Sequence, residues 1–226
     1  MTKSMHDEPT LSDRIWAGDE TAVEEARTRY QADPEGQFIP WVSTLYSYRG
    51  RLGYTAELLL LKEEILAWSE PERLYNHSIS RYQAADRADV LSTVLEWMPG
   101  APHIRDRYLD AASALISAAL RWLKYDAAGN HTLLLLILTH ASIHMRRGDT
   151  LAAQDCLLRA AIDAGSIATP NQRARVYRKL GALYLRLAQM TGRVRWMPIS
   201  VIYLVRALCV WSIPWDVRRK TLMFWR

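Results

Sequence analysis

His140 and His144 stand four residues apart in "THASIHM", so on a helix they share one face and could hold one metal ion. A zinc-protease helix needs a Glu directly after the first His to activate water, and here Ala141, Ser142 and Ile143 fill the gap. No third ligand follows at a suggestive local spacing, so the pair reads as packed histidines, and neither a metal nor a cofactor is expected. The two cysteines, Cys156 and Cys209, read as small buried hydrophobes in a reducing compartment. Glu63–Glu64 and Asp86/Asp89 are the nearby carboxylate pairs. Helical spacing turns Asp86 and Asp89 the same way, and solvated charge accounts for them. The chain contains no Gly-rich phosphate loop, no Cys-x-x-Cys and no Gly-x-Ser-x-Gly. The expectation is a non-enzymatic protein with no catalytic residues.

Charge is distributed unevenly. Residues 1–120 carry 12 Lys/Arg against 19 Asp/Glu, and residues 121–226 carry 17 against 5. From residue 164 onward 12 basic residues face a single acid, Asp216. Such asymmetry points to an anionic partner for the basic end. The N-terminus "MTKSMHDEPTLSDR" lacks the apolar core of a secretory signal, so a cytoplasmic protein is expected.

Apolar residues recur at three and four spacing in "AVEEARTRY", "ADVLSTVLEWM", "IRDRYLDAASALISAALRWL" and "VYRKLGALYLRLAQM". Strand alternation is absent. Prolines and glycines, including Pro34, Pro40, Gly53, Pro71, Gly148, Pro170, Gly192, Pro198 and Pro214, divide the pattern into about eleven or twelve helices. Trp41, Trp68, Trp97, Met98 and Trp122 lie on or at the ends of apolar helices and are expected in the core.

In "VYRKLGALY", Tyr177 is followed by Leu180-Gly181 and then Tyr184. This resembles the first helix of a tetratricopeptide repeat, where the small Gly lets a second helix approach closely. "RRGDTLAAQDCLLRAAI" resembles the turn and second helix of such a unit: Gly148-Asp149 turn the chain, Ala153 makes the close contact, Leu157 fills the core and Ala160-Ala161 close the helix. "ISVIYLVRALCVWSIP" repeats the second-helix pattern with Ser200, Leu204, Ala207-Leu208 and Pro214. The resemblance is fullest over 131–214, fainter over 10–60 and not visible over 71–125. It implies an all-α fold, a right-handed stack of antiparallel helical hairpins forming a TPR-like α-solenoid. It also explains the "RGD" at 147–149 as a turn. A fainter likeness links "YLVRALCVWSIPWDVRRKTL" to helical tails of bacterial family 2 glycosyltransferases. That likeness implies a cell-envelope context without the transferase domain.

The boundaries expected are a disordered N-terminus over 1–10, the repeat domain over 11–214 and a basic aromatic capping or interfacial helix over 215–226. The runs Met197–Val205 and Ala207–Trp215 are together nearly long enough to span a bilayer. Arg206 between them, and Pro198 and Pro214 around them, argue for a packed helix instead. The end of the chain mixes rings with cations, as interfacial helices do. The membrane- or partner-binding residues expected are Arg193, Arg195, Trp196, Trp215, Arg218, Arg219, Lys220, Phe224, Trp225 and Arg226, with Arg186 extending the basic face. The expected function is a scaffold or adaptor. It would hold a protein partner in a helical-repeat groove and rest its basic end on an anionic membrane surface or a partner. The alternatives are a nucleic-acid-associated regulator using the basic half, and a divergent helical metalloenzyme around His140/His144.

Overall fold

In a computed structural model, residues 11–16, 18–123, 130–167 and 169–210 are described. The segments expected at 1–10 and 215–226 lie outside them. The described residues are all-α and contain no strand. Among them no helix is long and apolar enough to cross a membrane. The chain divides into two compact units, Met1–Ala118 and Ala119–Arg226.

The first unit holds α1 (Leu11–Trp16), α2 (Glu20–Ala32), α3 (Pro34–Ser47), α4 (Leu52–Leu60), α5 (Lys62–Trp68), α6 (Pro71–Asn76) and α7 (Arg81–Trp97). It also holds most of α8 (Pro102–Trp122). Short polar side chains start the helices by accepting from orphan backbone N–H groups. Asp19 caps α2 through Thr21, Asp33 caps α3 through Gly36, and Ser80 caps α7 through Gln83. Pro34 and Pro71 occupy first-turn positions, where no donor is needed. Pro40 does not break the chain as expected but lies inside α3. Phe38, Ile39, Trp41 and Val42 around it are buried, and that burial holds the helix through the missing hydrogen bond. Gly53 falls in the first turn of α4, and Pro198 in the first turn of the last described helix.

Aromatic rings fill this first core. Phe38 stacks on Trp68 at 5.7 Å, and Tyr30 on Trp41 at 5.9 Å. Trp41, Trp68 and Met98 are buried, whereas Trp97 is half-buried with its ring edge-on to Tyr46. Asp89 departs from expectation. It is 6% exposed in the apolar middle of α7, while Asp86 faces solvent. Leu91, Val94 and Leu95 are buried in the same stretch. Part of the N-terminal acidity is internally paired: Arg14 bridges Asp19 and Glu25, each at 2.9 Å, and Arg29 meets Glu25 at 2.6 Å.

The second unit holds α9 (Asn130–Arg146), α10 (Thr150–Asp163), a 3-10 turn (Ala164–Ser166), α11 (Pro170–Thr191) and α12 (Trp196–Val210). Gly148 and Gly192 take positive φ, +79° and +63°, and let the chain leave α9 and α11 in tight turns. Asp149 then caps α10 by accepting from the Ala152 N–H. Helix α9 packs on α10 and α11, and α11 packs on α12. Leu138, Leu157, Leu180 and Tyr184 lie at the centre of their core. At Gly181 the helices α11 and α12 approach closely. A Cβ placed there would stand 2.7 Å from Leu204 Cγ and 3.1 Å from the Ser200 carbonyl oxygen. Beside it the buried Ser200 hydroxyl donates to the Gly181 carbonyl at 2.8 Å.

Two outcomes follow from these packings. Gly181→Ala destabilises the second unit by about 1–3 kcal/mol, because Leu204 and the α12 backbone must move away. Combined with Leu204→Ala it costs less than the two single changes summed, which denaturant melts of the four proteins measure. In the first unit the Asp19 carboxyl is held down at about 2, first by the Thr21 hydroxyl and then by Arg14. A depressed carboxylate stabilises the fold above its unfolded value near 3.9 and loses that effect as pH falls toward 2. Asp19→Asn therefore flattens the acid limb of the helical circular-dichroism signal between about pH 4 and 2.

Candidate binding surface and His–Cys cluster

Helix α12 is apolar around nearly its whole circumference, so one face can pack and the other cannot be hidden by the same contact. Ser200 and Ala207 turn inward, with Tyr203 and Leu204 partly covered beside them. Outward lie Met197, Val201, Val205 and Leu208, with Val201 56% and Val205 50% exposed. No acid lies on this helix, and its one cation, Arg206, sits over the Tyr203 ring at 5.7 Å.

The expected site residues divide into two groups. Arg193, Arg195 and Trp196 are described, whereas Trp215, Arg218, Arg219, Lys220, Phe224, Trp225 and Arg226 lie outside the described residues. Arg193 and Arg195 are exposed. Trp196 is 7% exposed and its ring stacks on Tyr184 at 5.8 Å. The Arg195 guanidinium sits 4.7 Å from the centre of that ring, a cation–π contact. Tyr184 stacks on Tyr203 from the α12 side as well, so three rings join the two helices. Arg186 does not extend the basic face. It is half-buried and donates to Ser142 on α9, and Lys179 likewise donates to Thr139. Both acceptors are buried hydroxyls, and that of Thr139 also donates to the Leu135 carbonyl at 3.0 Å. A groove of about 290 Å³ runs past Arg193 and Trp196, between Thr150, Leu151 and Gln154 of α10 and Met190 of α11. In the first unit a groove of about 300 Å³ is lined by Leu11, Ile15, Gln37, Pro40, Trp41 and Ser47.

The histidine pair has a companion that sequence spacing did not reveal. His140 and His144 lie ring against ring on α9, 4.4 Å between centroids, and Cys156 reaches them from α10. Burial holds the His140 imidazole down at about 4, helped by His144 and Arg147. Burial also raises the Cys156 thiol, with Asp155 adding to the effect. The missed signal was the turn. Folding the chain back at Gly148-Asp149 sets residue 156 opposite 140–144.

No family model matches the chain, and no curated protein or solved structure matches it.

Trp196 carries structural weight whatever surface it borders. Trp196→Ala removes a buried ring from the Tyr184 stack and lowers the stability of the second unit by about 3–5 kcal/mol in chemical denaturation. Arg195→Ala, at an exposed contact, costs about 0.5–1 kcal/mol in the same measurement.

Proposed function

We propose that this chain is a non-enzymatic scaffold of the tetratricopeptide-like class that docks its basic C-terminal end on an anionic membrane surface. The observation that carries the reading is the exposed apolar face of α12 beside exposed Arg193 and Arg195. Contiguous exposed aliphatic side chains mark an interaction surface, and cations beside them favour an anionic one. Residues 211–226 continue directly from α12 with four more cations and with Phe224 and Trp225. Aliphatic and aromatic groups mixed with Arg suit the headgroup layer of a lipid bilayer better than nucleic-acid bases.

The repeat reading draws support from the close approach at Gly181 and from the fully buried Ala153, Leu157 and Ala160 of α10. These are positions where a tetratricopeptide unit needs small or core-filling residues. In this reading α9–α10 and α11–α12 are successive antiparallel hairpins of a right-handed stack. A protein partner lies in a groove of the repeats, where a preformed rigid surface binds at little ordering cost. The surface acts at the inner face of the membrane.

Vesicle flotation tests the docking. The full chain floats with vesicles containing phosphatidylserine at low salt and stays behind with phosphatidylcholine alone. Arg193→Gln with Arg195→Gln lowers the partition coefficient by about 30-fold, at roughly 1 kcal/mol per cation. Val201→Asp with Val205→Asp abolishes flotation while leaving the helical signal intact, because both side chains already face out. Equal recovery with neutral and anionic vesicles, or none with either, overturns the reading.

A further inference from the structure

We propose that His140, His144 and Cys156 form a binding site for a divalent transition-metal ion of the zinc class, held between α9 and α10. One ligand atom from each of the three residues lies within 4.8 Å of the other two. Bonds of about 2.0–2.1 Å to nitrogen and 2.3 Å to sulfur set tetrahedral ligand atoms about 3.3–3.6 Å apart. Closing from the observed spacing brings the three ligand atoms together by no more than about 1.5 Å. Among the described residues this is the one group of three His, Cys, Asp or Glu gathered so closely.

The chemistry of the set narrows the ion. Two imidazoles and a thiolate are borderline-to-soft ligands, suited to zinc and poorly suited to magnesium or calcium. All three residues are half-buried, so the site is shielded from bulk water and still open to a small ion. As the metal–sulfur bond forms, the Cys156 thiol gives its proton to solvent. Three protein ligands leave a fourth position for water or an outside donor.

Asp149 is placed to support the site. One of its carboxylate oxygens accepts from the Ala152 N–H and caps α10, while the other stands 3.6 Å from His144 Nδ1. At 3.6 Å this is not yet a hydrogen bond; a small ring rotation would make it one, which would fix the tautomer and leave the other nitrogen for the metal. The ion would thus clamp α9 to α10 across the turn at Gly148. This assignment is independent of membrane docking, which involves α12 and the residues after it.

The test is a cobalt titration of the full chain after chelator treatment, followed by zinc competition. The expected result is one cobalt per chain, with thiolate-to-cobalt charge-transfer absorption and tetrahedral d–d bands, both erased by zinc. Cys156→Ser abolishes the charge-transfer band, and Cys209→Ser, at the exposed second thiol, retains it. His144→Gln weakens cobalt binding at least 10-fold. Asp149→Asn keeps a good helix cap and weakens binding about 10–100-fold. If Cys156→Ser does not fold, His144→Gln and Cys209→Ser decide, since only the first should weaken binding. No charge-transfer absorption in the unaltered chain, its survival in a folded Cys156→Ser, or its loss in Cys209→Ser overturns the site.

Discussion

The contact between α11 and α12 at Gly181 is the constraint on which the second unit depends. A helix pair usually keeps its axes apart by the width of its side chains. With no side chain at Gly181, Leu204 and the backbone at Ser200 move into that space, and Ser200 hydrogen-bonds the Gly181 carbonyl. The approach fixes where every other residue on the two helices meets. One turn further on, Tyr184 stacks on both Trp196 and Tyr203, and one turn back Tyr177 meets Tyr203. Aromatic pairs add stabilisation beyond their buried area only when their geometry is right, and here the close crossing sets that geometry.

The same crossing explains the surface. Helix α12 is apolar on both sides, and among the described residues it packs chiefly on α11, so Met197, Val201, Val205 and Leu208 remain exposed there. A helix of this composition is ordinarily buried all round. The arrangement therefore leaves a face that needs a cover, next to cations that restrict what the cover can be. Two of the five cations of α11 play a different part. Lys179 and Arg186 lean across to buried hydroxyls on α9 and serve that interior seam. Basic residues that look alike in a charge count thus differ in place: Lys179 and Arg186 reach hydroxyls on α9, whereas Arg193 and Arg195 are exposed.

The first unit solves its packing with rings and caps. Phe38, Trp41, Trp68 and Tyr30 fill its interior in stacked pairs, and Asp19, Asp33 and Ser80 satisfy the helix starts. Its acidic excess is partly neutralised within α1 and α2, where Arg14 links two carboxylates. Asp89 is buried in this unit although its neighbour on the same helix, Asp86, is exposed.

Residue order alone pointed to the all-α character of the described residues, because three-and-four spacing with no period of two puts the apolar residues on one face of a helix. It also marked several helix ends, through Pro34, Pro71, Gly148, Pro170 and Gly192, and it marked Gly181 as a place of close approach. Pro40 was misread, because a proline's local cost is visible in sequence while the burial that outweighs it is not. Tertiary structure decided which of two similar residues lies inside. Trp196 sits against Tyr184 while Arg195 covers its face, and Asp89 is buried while Asp86 is wet. Tertiary structure also brought Cys156 to His140 and His144. Sequence spacing reveals groups that share one helix, but partners on two helices meet only where a turn and a packed interface set the register between them.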